Sequence, residues 1–139
     1  MTPVIIGISS GLLIILVFVM LKQFDKKLIY GLILCGIGFL YVGFAWSDTR
    51  ALAINSAQAV LFVFIAYYGM KKSSTILAAG YFLHGIWDLL YHIFQDSGLI
   101  PPEYDLFCLS IDFTMGFYIL TIKYKAVNKP DLLNPSTED

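Results

Sequence analysis

His84, Asp88 and His92 recur every four residues within Tyr81–His92, and Cys108 and Asp112 recur at the same interval further along the chain. At helical spacing each set runs along one side of a helix, so two acids and two imidazoles can share one space. Such groups support two kinds of chemistry. They exchange protons as general acid and base, or they ligate an imidazole-accepting divalent ion such as Zn²⁺, which takes three protein ligands and leaves one position open.

The surroundings sharpen the question. The segment carrying these groups is otherwise apolar enough to cross a bilayer, where a mid-membrane acid costs about 2.5–3.5 kcal/mol on the mildest insertion scale. A lipid-facing position is therefore poor, and a protein-lined polar site is expected. His84 and His92 stand about 12 Å apart along a straight helix, too far to share one ion. A mononuclear site would use Asp88, one histidine and Asp112, and the metal set read here is Asp88, His92 and Asp112. Without metal, Asp88 and Asp112 form the central acid pair, with His84 and His92 as proton-transfer partners. These four are the candidate catalytic residues. No His-Glu-x-x-His pair, phosphate-cradling glycine loop, Ser-centred elbow or Cys-x-x-Cys pair is present.

Five apolar runs must position these groups, at residues 3–21, 28–46, 51–70, 75–94 and 106–124, each long enough to span a bilayer. The composition agrees, with 58% hydrophobic and 14% charged residues against about 25% charged in soluble domains. The expected fold is all-α: one integral membrane bundle of five transmembrane helices over residues 1–126, followed by a polar tail at 127–139. The first run lacks the basic leader of a signal peptide and reads as a retained helix.

The lysines set the orientation, because cytoplasmic loops hold the excess of basic residues. With the N-terminus outside and the C-terminus cytoplasmic, Lys22, Lys26, Lys27, Lys71, Lys72, Lys123, Lys125 and Lys129 fall inside and only Arg50 falls outside. The connection Gln95–Asp105, with Asp96, Glu103, Asp105, Pro101 and Pro102 and no base, suits an outward loop.

Depth follows from topology. His92 lies near the outer face, with Asp88 about 6 Å and His84 about 12 Å deeper. The next helix descends, which places Cys108 near the level of His92 and Asp112 near that of Asp88. Asn55 and Gln58, three residues apart, enter the same outer layer, as does Tyr41. An outward-opening pocket accounts for this gathering, with Asn55, Gln58, Glu103, Trp87 and Tyr91 binding or orienting a substrate. Taken singly, each residue also has a packing explanation. Asn55 and Gln58 can be interhelical glue, Cys108 a small buried hydrophobe, and the aromatic residues an interfacial belt.

Gly7-x-x-x-Gly11, the glycines of the second run and Ala53-x-x-x-Ala57 permit close helix contact. Packing within one chain and a homo-oligomer seam through helices one and two both fit. Cys35 and Cys108 fall toward opposite faces and should not pair. A net charge of −1 with no basic face excludes a nucleic-acid partner; membrane lipids are the expected surroundings.

Trp87-Asp88 and His92 on one helix, followed by Cys108 and Asp112 on the next, resemble a small family of uncharacterised bacterial multi-pass integral membrane proteins. The likeness spans roughly residues 84–112. It implies a bacterial inner-membrane protein with the polar cluster on the periplasmic side, and it implies no substrate. Three function classes stay open: a small membrane enzyme, metal-assisted or acid–base, acting on an amphiphilic or lipid-like substrate; a proton relay or transporter; and a non-catalytic binding or structural protein.

Overall fold

The computed structural model describes residues 1–94 and 99–128, apart from the side chain of His92. Expectations resting on that side chain, on Asp96, and on Lys129 and the tail beyond it lie outside the described residues. Five α-helices occur among the described residues: α1 (Thr2–Met20), α2 (Lys26–Phe44), α3 (Thr49–Lys71), α4 (Ser74–Phe94) and α5 (Tyr104–Val127). Of these, α1, α2, α3 and α5 are long and apolar enough to cross a membrane.

Capping explains where the helices begin. The Asp25 carboxylate accepts from the backbone N–H of Lys27 at 2.8 Å and of Leu28 at 3.4 Å, and Asp48 accepts from those of Arg50 at 2.8 Å and Ala51 at 3.0 Å. Each satisfies donors that the first turn leaves open. Both helices therefore start ahead of their apolar runs, at Lys26 and Thr49. Before α5, Pro101 and Pro102 exclude a helical path, and Glu103 takes a left-handed conformation (φ 62°) as the chain turns into the helix.

Helix α4 is the hub: it packs on α5, α3 and α2, while α1 packs on α5 and α2 on α3. The core between them is built from Tyr30, Leu34, Phe62, Leu77, Tyr81 and Met115, with Ile15 reaching in from α1. Small residues bring the backbones together. A Cβ at Gly7 would lie 2.5 Å from the Phe107 carbonyl oxygen on α5, and one at Gly11 would lie 3.1 Å from Thr114. Gly31 faces Met70 and Gly38 faces Phe62 on α3, whereas Gly36 and Gly43 have no neighbour within 4 Å. The Gly7/Gly11 pair thus serves packing within the chain.

One buried polar bond ties α4 to α2. The Tyr81 hydroxyl donates to the Tyr30 carbonyl at 2.7 Å, using that oxygen's second lone pair. Tyr81→Phe removes the donor with little change in shape and is expected to cost about 1 kcal/mol. Thermal unfolding in detergent checks this; an unchanged midpoint would show that the bond contributes nothing.

Candidate functional site

Helix geometry sets His84 and Asp88 one turn apart on α4, and α5 brings Asp112 against them. His84 Nδ1 is 2.8 Å from Asp112 Oδ2 and 3.5 Å from Asp88 Oδ2. One candidate ligand atom from each of the three lies within 4.8 Å of the others. The relative exposures are 0% for His84, 0% for Asp88 and 1% for Asp112, so the trio is enclosed.

Depth counting sets Asp112 level with Asp88. In the structure its hydrogen bond goes one turn further, to His84. In the tautomer that directs an Nδ1 proton at Asp112, the other ring nitrogen carries the lone pair. Among the described residues that Nε2 has no hydrogen-bond partner, and the Asp88 carboxylate has the 3.5 Å ion pair with Nδ1. Buried polar atoms are nearly always partnered, so such an orphan marks a place built for something other than packing.

Aromatic rings form the walls. The Phe62 ring sits edge-on to His84 with centroids 4.8 Å apart, and the Tyr41 ring lies 6.2 Å from it. Tyr41 in turn packs on Tyr91 at 4.9 Å and on Tyr104 at 6.2 Å. The Tyr41 hydroxyl is buried as well. No open pocket reaching the acids is found among the described clefts. Tyr41 and Phe62 pack against the His84 ring, and Tyr91 packs on Tyr41.

The other expected residues divide. Asn55 is buried and its amide Nδ2 donates to the Tyr91 hydroxyl at 3.1 Å, while its Oδ1 is unpartnered. Gln58 is buried with both polar side-chain atoms unpartnered. Trp87 is half-buried with an unpartnered indole N–H, on the adjoining face of α4. Glu103 is exposed and lines a cleft with Thr2, Pro3, Pro101 and Pro102. Of the metal set read from spacing, Asp88 and Asp112 come together. The described histidine beside them is His84, and the His92 side chain lies outside the described residues. Cys108, one turn before Asp112, is buried with a free thiol, and Cys35 is also free.

Two residues escape the spacing rule. Phe62 packs on the imidazole, but a phenylalanine in an apolar run carries no signal of that role. Asp105, expected in the outward loop, is buried in the first turn of α5. Its signal is the short interval after Pro102, within which a new helix already begins.

A sequence model of a family of unknown function, DUF6010, matches residues 2–125. No curated protein and no solved structure matches the chain.

Proposed function

We infer that this chain, which belongs to the DUF6010 family of unknown function, is a small membrane enzyme performing acid–base chemistry on an amphiphilic substrate. Its setting in this reading is a bacterial inner membrane, crossed by all five helices, N-terminus outside. One observation carries the chemistry: Asp112 engages His84 Nδ1 at 2.8 Å while Nε2 stays unpartnered inside a closed shell. A carboxylate on one ring nitrogen fixes the tautomer and orientation that let the other accept a proton. Asp88, one turn away with Oδ2 3.5 Å from Nδ1, is the group placed to take part in returning it. Isomerisation, cyclisation or hydrolysis of a lipid-like molecule uses such a pair.

The substrate need not be identified for the test. Proteoliposomes are made from lipids of cells lacking this gene, and their lipid composition is followed by mass spectrometry. Wild-type protein is expected to deplete one species and produce another, and Asp112→Asn to leave the mixture unchanged. A lipid profile identical with and without wild-type protein would sink the enzyme reading.

A divalent centre is the second reading, favoured by the 4.8 Å grouping of His84, Asp88 and Asp112. Ligand atoms about 2.0–2.2 Å from Zn²⁺ in tetrahedral geometry stand about 3.4 Å apart, so the widest separation in this group would have to close on binding. The two readings separate on chelation. Acid–base chemistry predicts that the lipid conversion survives prolonged chelator treatment. Loss of conversion together with one equivalent of bound metal, absent in Asp88→Asn, would establish the metal centre instead.

A further inference from the structure

A cleft between α3 and α4, lined by Arg50, Ile54, Trp87, Leu90, Tyr91 and Phe94, encloses about 390 Å³, within the range of about 300–1,000 Å³ typical of ligand sites. Clefts of about 390 and 420 Å³ elsewhere on the bundle are lined by apolar and hydroxyl side chains alone. Only the α3/α4 cleft carries a base among the described clefts. No described carboxylate forms an ion pair with the Arg50 guanidinium, and the neighbouring Asp48 carboxylate is turned onto the backbone of α3. The Trp87 ring lines the same cleft. The remaining wall, Ile54, Leu90 and Phe94, is apolar.

We propose that this cleft binds an anionic lipid, its phosphate-bearing headgroup at Arg50 and its acyl chain along Leu90 and Phe94. Charge selects the headgroup: a single exposed arginine offers a planar donor fork to phosphate, and the rest of the wall is apolar or aromatic. Tyr91 is shared between this cleft and the aromatic wall of the buried trio, since its ring packs on Tyr41 at 4.9 Å and its hydroxyl accepts from Asn55. Trp87 directly precedes Asp88 in the chain. On the enzyme reading, an anionic lipid held here belongs to the substrate class of the acid–base site. That link rests on the enzyme reading, whereas the lipid binding itself does not.

Trp87 is also the reporter. The chain has two tryptophans, and Trp46, exposed beyond α2, can be replaced: Trp46→Phe leaves Trp87 as the sole indole. The protein is placed in bilayers containing equal mole fractions of phosphatidylglycerol and phosphatidylcholine, with bromine carried by one lipid or the other. Brominated phosphatidylglycerol is expected to quench Trp87 as though enriched about five-fold at the cleft, the selectivity of one basic residue for an anionic lipid. Arg50→Gln is expected to bring the ratio to about one. Equal quenching by both lipids, or a preference that survives Arg50→Gln, overturns the proposal. Relief of quenching by soluble glycerol phosphate would also overturn it, by showing a site for a free anion. Quenching that follows this pattern while the lipid mixture stays unconverted would leave the binding site standing and remove the enzyme.

Discussion

Asp112→Asn should lower lipid conversion by about 10²–10⁴-fold, the contribution of a positioned acid–base group, while the protein still folds. The change is nearly isosteric and keeps a hydrogen-bonding atom within reach of His84 Nδ1, now 2.8 Å from a carboxylate oxygen. What it removes is the charge that fixes the imidazole tautomer. An amide can present either its oxygen or its nitrogen to the ring, and the second choice moves the proton to Nε2, where a base is needed. Asp112 is thus a positioning residue acting through His84. The ¹⁵N shifts of the His84 ring give a readout that packing alone would not move: one protonated Nδ1 in the wild type, a changed tautomer in Asp112→Asn. Conversion at the wild-type rate with a rearranged tautomer would show that the pair has no catalytic role.

Much of this site is legible in the residue pattern. Two acids separated by a loop can be set at matching depth because helix rise is fixed, and α4 and α5 do bring Asp88 and Asp112 into one group with His84. The five helices are legible for a related reason: apolar length is the strongest signal a chain of this composition carries. The helix starts are less so, because Asp25 and Asp48 cap outside the apolar run and hydropathy does not register a cap. Enclosure is not legible at all. Whether an acid faces a pocket or a wall depends on where Tyr41, Phe62 and Tyr91 turn their rings, and a spacing rule places Cα atoms, not rings. Glu103 is exposed in a left-handed backbone conformation and lines a cleft with Pro101 and Pro102.

The scaffold's own requirement can be tested at a single methyl group. Gly7→Ala is expected to destabilise the chain by about 1–3 kcal/mol, the range for overpacking a filled contact. A Cβ there would stand 2.5 Å from the Phe107 carbonyl oxygen and 2.8 Å from Ser110 Cβ. Backbone cannot swing aside as a long side chain can, so α1 must lift from α5. Gly36→Ala is the control, since a Cβ at that position meets nothing within 4 Å and alanine is the better helix former by about 1 kcal/mol; its unfolding midpoint should hold or rise. Equal midpoints for the two variants would mean that α1 does not depend on close approach. The consequence reaches the site, because the α5 segment that Gly7 touches, Phe107 to Ser110, leads into Asp112 on the same helix. Displacing it should weaken the His84–Asp112 contact, so Gly7→Ala should lose lipid conversion even at temperatures where it remains folded, and Gly36→Ala should keep it.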